Sequence, residues 1–417
     1  MTLQFIELSP QEYAAFESKH LLGTYTQSIL QYELLLKNGH HPYLLGVKEN
    51  EQVIAGSLVV TESTRFGQAF LFDRGPLLDF NDLNLLSFFV KEAKKYAKKH
   101  GILYIEWAPN VTYVKTDNTG QFMQETNDEF LKKLSREGFE HQPFEFGMST
   151  NSSPAWEYVK PISGLTDEKS ILKSYTKNVQ YYLKKNKQFG IQLRQLDKND
   201  LPDFKKLTAT TAKRLNYHDK DLSFYEMLYD IYGNDATFMF AELNFEKYIS
   251  EETEKIQELN QKLDKIQQKI VKYPLQDKFK RQFAEFNDQK QQHIKRIAKA
   301  TEQMNKAGRP TVVIAGALFI QQPQEMTYLY SGTYEEYMDY YGPYQIQHEM
   351  IKKAVAGNID HYNFYGISGH FDGTDGVFRF KTAFSGYARQ LVGRFILPVH
   401  PLKYRLYRLL KHITGRV

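Results

Sequence analysis

The sequence has no cysteine among its 417 residues, which excludes disulfide frameworks, thiolate metal sites and cysteine nucleophiles together. No stretch approaches the roughly 18 to 20 consecutive apolar residues of a membrane-spanning helix. The opening MTLQFIELSPQEY carries no basic-then-apolar leader, so the expectation is a soluble, cytoplasmic chain that is not exported. Net charge is slight: 54 Lys and Arg against 49 Asp and Glu give +5. That is a mild bias toward phosphate-bearing partners, far below the charge of a dedicated nucleic-acid binder. Also missing are Gly-x-x-x-x-Gly-Lys-Ser/Thr, Gly-x-Gly-x-x-Gly, Gly-x-Ser-x-Gly and His-Glu-x-x-His. Their absence removes the phosphate-loop, dinucleotide, nucleophile-elbow and zinc-peptidase readings. The 12 histidines are scattered; His348 falls on a helix, where a satisfied packing role outweighs ligation, and no metal is expected.

Aromatic residues are abundant, with 29 Tyr and 29 Phe, enough for a thick core or for stacking surfaces. The length exceeds one ordinary core. HPYLLGVKENEQVIAGSLVVTES and FGQAFLFDRGPLLDF read as strand pairs around polar turns. In DLNLLSFFVKEAKKYAKKHG, Leu83, Leu85, Leu86, Phe89 and Val90 recur at helical spacing before Gly101, and ILYIEWAP reads as the following strand. After Pro161 the same grammar returns, from EKSILKSYTKNVQYYLKKNKQFG to HYNFYGI. Two hairpin-then-βαβ units resemble the acetyltransferase-like (GNAT, acyl-CoA N-acyltransferase-like) fold used twice, an α/β class. The Arg/Gln-x-x-Gly-x-Gly/Ala turn that cradles a coenzyme pyrophosphate is not found, so acetyl-coenzyme A is not the expected donor.

Between the halves of the second unit, Ile256, Leu259, Leu263, Ile266 and Ile270 step by three and four, the seam of a coiled coil. Pro274 interrupts it. A returning helix carries Phe279, Phe283 and Phe286, then Ile294, Ile297 and Met304 in a shifted phase from Lys290 to His293. The spacing predicts an inserted antiparallel coiled-coil helical hairpin, each arm about 40 Å long. Lys269, Lys272, Lys278, Lys280 and Arg281 gather near its tip, open to two readings: a solvated or dimer-forming face, or a holder of a polyanion. The expected division is 1–160 for the first unit, 161–244 with 308–417 for the second, and 245–307 for the arm, the C-terminal segment being free to pack back on the first unit.

Cations among aromatics carry the remaining signal. TTAKRLNYH sets Arg214 and Tyr217 at a helix end, fit either for a phosphate or for a surface salt bridge. TQSILQYELLLKNGHHP ends a helix with Lys37, which by itself is a C-terminal cap. KSYTKNVQYYLKKNK is a basic, tyrosine-rich helix, either a nucleic-acid contact or a solvated face. GVFRFKTAFSG sets Lys381 among rings, a working cation or an exposed edge-strand lysine. The tail PVHPLKYRLYRLLKHITGRV places Leu402, Leu406, Leu409, Leu410 and Ile413 against cations, a short amphipathic helix for an anionic leaflet or for its own domain.

Taken in order, YTQSILQYELLLKNG, DRGPLLDF, LYIEWAPNVTY, GFEH, LNFEKYI, YSGTYEEYMDYYGPYQIQHEMI, YNFYGISG, GVFRFKTAFSGYARQLVGRF and LPVHPLKYRLY resemble the FemABX/MurM family of bacterial peptidoglycan-bridge aminoacyltransferases over nearly the whole chain. The resemblance implies two GNAT-like domains with a coiled-coil arm and no cofactor. The donor it implies is an aminoacyl-tRNA, commonly charged with Gly, Ala or Ser. The acceptor is an amino group of lipid II or a UDP-linked muramyl pentapeptide, and a peripheral contact with the inner face of the cytoplasmic membrane follows. Carried over residue by residue, Lys37 and Arg214 hold the precursor's diphosphate with Tyr217 beside them. Tyr32, Tyr330 and Tyr344, inside the quoted stretches, bind substrate, and Phe380 with Lys381 meets the tRNA acceptor end. Where many relatives read Asp-Pro, this chain reads Ala108-Pro109, so a carboxylate suggested to aid the acceptor amine is missing. Glu106 is expected on the opposite strand face and is not assigned as a base.

The implied reaction turns an ester into an amide and asks for proximity and for stabilisation of negative charge more than for covalent catalysis. Lys381 would serve as a fixed cation for the oxyanion or the terminal tRNA phosphate, with Phe380 against the 3′ adenosine. Two alternatives stand beside it: transfer to another acceptor, a protein N-terminus or a lipid head group, and a non-catalytic tRNA-binding or scaffold protein.

Overall fold

The computed structural model describes residues 2–64, 66–147 and 153–413. In chain order the first part holds β1 (Leu3–Glu7), α1 (Pro10–Glu17), α2 (Ile29–Lys37), β2 (Tyr43–Glu49), β3 (Gln52–Thr64) and β4 (Gly67–Arg74). It continues with α3 (Leu83–Lys99), β5 (Ile102–Pro109), β6 (Thr112–Thr116), α4 (Asp128–Arg136) and β7 (Glu140–His141). Next come β8 (Trp156–Pro161), α5 (Glu168–Lys173), α6 (Lys177–Phe189), β9 (Gln192–Gln195), α7 (Leu201–Leu215), α8 (Leu222–Tyr232) and β10 (Ala236–Asn244). The long helices α9 (Phe245–Lys272) and α10 (Asp277–Ala307) follow, then β11 (Thr311–Gln321), β12 (Glu325–Thr333), α11 (Gly342–Ala356) and β13 (His361–Gly366). The chain closes with α12 (Gly376–Thr382), β14 (Tyr387–Leu391), β15 (Phe395–Pro398) and α13 (Pro401–Ile413).

The strands form two mixed sheets, in the orders β1-β2-β3-β4-β5-β15-β7 and β6-β14-β8-β13-β12-β11-β10-β9. Strands cross the position-160 divide both ways: β6 lies at the edge of the second sheet, and β15 enters the first between β5 and β7. Helix α3 covers one face of the first sheet. Its Asp82 cap accepts from the Leu85 amide at 2.9 Å, and Leu85, Leu86, Phe89, Val90, Ala93 and Ala97 are buried at helical spacing. They meet Phe70, Phe72, Ile105 and Trp107 of β4 and β5. Because side chains alternate along a strand, Leu71, Asp73, Tyr104, Glu106 and Ala108 point to the other face. Glu106 therefore shares a face with Ala108, a correction to the expectation that it points away; two residues is one full period.

The second sheet is covered on both faces. Ile346, Met350 and Ile351 of α11 and Val179 of α6 seal one; Phe204 and Leu207 of α7 with Tyr225 and Leu228 of α8 seal the other. Helices α9 and α10 pack antiparallel. The Glu252 carboxylate lies 2.7 Å from His293 Nδ1, and the ammonium groups of Lys262 and Lys269 lie over the rings of Phe286 and Phe279. Both helices give way around Pro274, while α10 continues unbroken through the shifted phase at 290–293. Among the described residues no helix is long and apolar enough to cross a membrane.

Candidate functional site

Asp375 caps α12, accepting from the Phe378 amide at 2.9 Å, and the short helix turns two consecutive residues in different directions. Phe380 joins an aromatic group, 5.0 Å from the Tyr344 ring and 5.6 Å from Phe384, with Tyr182 4.6 Å beyond Tyr344. Lys381 points inward. It is 4% exposed, and its ammonium donates to the Gly366 carbonyl at 2.5 Å. The structure thus gives a buried helical lysine where the plainer reading expected an exposed one on an edge strand. Burial drives its pKa down to about 7, against the weaker pull of Asp375 and Glu157, so near neutrality the charge is only partly held.

Around Lys381 lies a buried ionic network. Glu157 receives Arg74 Nη2 at 2.7 Å and Arg389 Nη2 at 2.6 Å. Asn363 Nδ2 bridges Glu157 and Glu325 at 3.2 and 3.0 Å. Burial opposes ionisation of Glu157, yet the two guanidiniums outweigh it and hold its carboxyl below the usual range. Glu325, farther from charge at 3.8 Å from Arg389, is pushed up by burial. Lys160 is a second buried lysine, bonded to the Phe384 carbonyl at 2.8 Å and brought down to about 8 by burial.

Tyrosines lead outward from this centre. Tyr365, with φ of +63°, precedes Gly366, and its hydroxyl lies 2.9 Å from that of Tyr25. Tyr330 is coupled electrostatically to Tyr365 and Tyr217, and its ring sits edge-on to Phe224 and Tyr225. Tyr217 follows the left-handed Asn216 that ends α7. Burial and Asp219 raise its hydroxyl pKa, and Arg214 opposes them.

The Lys37 ammonium, at the end of α2, is 3.7 Å from Asp230, which also pairs with Lys198 at 2.8 Å. Arg214 lies in the last turn of α7. Half-buried Tyr32, one turn before Lys37, packs beside Leu8, Tyr13 and Leu58.

A cleft of about 1190 Å³ opens on the uncovered face of the first sheet. Asp73, Glu106, Ala108, Arg394, Tyr404 and Tyr407 are among its walls, and none of the eight residues assigned from the sequence is. Arg74 lines this cleft and also binds Glu157, linking it to the surroundings of Lys381. Glu106 faces Arg394 at 3.5 Å; burial raises its carboxyl against that partner. Sequence reading missed Glu157, Arg389 and Asp73. The available signal was a glutamate and a lysine inside WEYVKP, whose first five residues are all buried, and DRGP beside the strand end.

Helix α13 docks on this cleft through Tyr404 and Tyr407, whose rings meet Tyr104 at 5.4 and 6.0 Å. Leu402, Leu406 and Leu409 face solvent at 81%, 57% and 57% exposure. The side chain of Ile413, expected on the same helix, lies outside the described residues.

Known proteins resemble this chain along its length. A family model described as the FemAB family matches residues 8–412. Aminoacyltransferase FemA of Staphylococcus aureus (strain bovine RF122 / ET3-1) is 31% identical over 421 residues, covering 100% of both chains. FemA of S. aureus (strain N315) is equally similar, 31% over 421 residues with the same coverage. The crystal structure of FemX shares the fold, with a TM-score of 0.76 at 21% identity, covering 98% of this chain and 100% of that one.

Proposed function

The chain belongs to the FemAB family and is an aminoacyltransferase, and from that premise we propose that it moves an amino acid from aminoacyl-tRNA to an amine of a peptidoglycan precursor, lipid II or its UDP-linked form, during bridge synthesis. The observation that carries this reading is the pairing, on one short helix, of the buried Lys381 ammonium with Phe380, whose ring packs on Tyr344. A terminal adenosine has rings to pack on. The oxyanion formed when an amine attacks the ester has a cation whose charge it would itself favour. The acceptor nitrogen forms a bond to the carbonyl carbon, the ester bond to the ribose oxygen breaks, and the ribose leaves as the alcohol. No ATP and no cofactor is needed, since an ester is exchanged for an amide.

In the finer reading, the two sheets are GNAT-like units and α9 with α10 is a coiled-coil arm. Lys37 and Arg214, with Tyr32, Tyr217 and Tyr330, belong to the precursor side and Phe380 to the donor side. The exposed leucines of α13 supply a peripheral contact with an anionic leaflet, as suits a membrane-anchored acceptor in the cytoplasm. The test is direct. Incubating the protein with tRNAs charged with radiolabelled Gly, Ala or Ser and with lipid II should place label on the precursor. No transfer from any charged tRNA to lipid II or to the UDP-linked pentapeptide would reject the reading.

A further inference from the structure

An acceptor ammonium must lose a proton before its nitrogen can attack, and the structure offers a carboxylate for this that sequence order conceals. Strands β4 and β5 run parallel with Leu71 opposite Glu106 and Asp73 opposite Ala108. Neighbouring strands lie about 4.8 Å apart, so the Asp73 carboxylate stands beside the Ala108 methyl on the cleft face. Asp73 is held firmly. Its carbonyl accepts from Gln27 Nε2 at 2.6 Å, and its carboxylate accepts from Ser153 Oγ at 2.7 Å.

Two features separate Asp73 from the other acids of the cleft. Glu106 and Glu145 both face the Arg394 guanidinium and are occupied as ion pairs, and Glu62 stands opposite Ala69, four residues back along β4. The cation nearest Asp73 is Arg74, whose guanidinium is turned away to Glu157 and to the Pro154 carbonyl, each at 2.7 Å. The groups facing Asp73 are Arg74 on its own strand, Glu157 from β8, Ser153 before it, Tyr25 ahead of α2 and Tyr365 from β13; Glu106 lies one pair back on β5. Burial raises the carboxyl of Asp73 against Arg74 and Ser153, the direction that makes a carboxylate a better proton acceptor near neutrality. Tyr365, which faces Asp73, adjoins Gly366, whose carbonyl accepts from Lys381, so the end of β13 links Asp73 to the lysine.

We propose that Asp73 is the proton acceptor for the incoming amine, an inference that rests on the aminoacyl-transfer reading above. The ammonium gives one proton to the Asp73 carboxylate and attacks as the free amine. The second proton lost from nitrogen goes to the departing ribose oxygen, the third stays on the amide, and Asp73 returns its proton to water.

The experiment uses the full chain with charged tRNA and the precursor it aminoacylates, between pH 5.5 and 7.5. Asp73→Asn should lower kcat roughly 10²-fold with KM for the precursor little changed, and should abolish the acid limb that marks the base. Asp73→Glu should recover part of the rate. Ser153→Ala, which removes a bond favouring the ionised carboxylate, should move the acid limb to higher pH, a readout that does not depend on Asp73→Asn folding. Asp73→Asn with wild-type kcat and pH profile, or an unmoved limb in Ser153→Ala, overturns the inference while leaving aminoacyl transfer intact. A wild-type chain inactive with every charged tRNA overturns both.

Discussion

Lys381 shows how far a single residue can be read before its surroundings are known. Lys381→Met keeps the stem and removes the ammonium, so turnover should fall by roughly 10²-fold, the cost of about 3 kcal/mol for one lost oxyanion donor, while precursor binding stays nearly the same. Steady-state kinetics with a separate binding titration checks this. The same variant has a stability signature with a definite sign. Below about pH 7 folded and unfolded chains both hold the proton, above about pH 10 neither does, and between them only the unfolded chain does. The Lys381 contribution therefore rises with pH across that window, by at most about 1.4 kcal/mol per unit. In denaturant melts the stability of wild type relative to Lys381→Met should rise between pH 7 and 9. The rings around this lysine were legible in GVFRFKTAFSG; its burial was not, because a helix of 7 residues is too short to leave a period. Asp73 was hidden for another reason. Its partner Ala108 is 35 positions away, and only the register of β4 on β5 makes them neighbours.

At the scale of elements, the periodic ones were legible. Helix α3 announces itself by its cap, its apolar stripe and Gly101, and α9 and α10 by apolar steps of three and four around Pro274. Which ends of elements meet is a tertiary matter: Lys37 and Arg214 each close a helix, α2 and α7, and nothing in either pattern says what stands opposite them. Helix α13 shows a related limit, since its pattern suited either a leaflet or its own domain. Tyr404 and Tyr407 take the inner face while Leu402, Leu406 and Leu409, spaced by four and three, take the outer one. If those leucines meet lipid, replacing all three with Ser should abolish co-flotation with anionic liposomes without lowering the melting temperature. Wild-type binding should weaken as salt is raised. Unchanged flotation of the triple variant would dismiss the membrane contact.

For the whole molecule the decisive residue is Glu157, which ties β4 of the first sheet to β8, β13 and β14 of the second. Glu157→Gln leaves Arg74 and Arg389 buried with their main counter-charge gone, a change worth about 3 to 5 kcal/mol of destabilisation. Urea melts should show it as a lowered midpoint, and a midpoint within error of wild type would mean that water already compensates the pair. The mixed α/β class was readable from alternating strands and helices. The exchange of β6 and β15 between sheets was not, since each is short and its destination depends on a sheet built elsewhere in the chain. That exchange also sets an order of events during synthesis. The gap between β5 and β7 is filled by residues 395–398, so the first sheet stays open along one edge until that strand has left the ribosome. A chain cut short anywhere earlier would carry that unsealed seam, a ready target for chaperones and proteases.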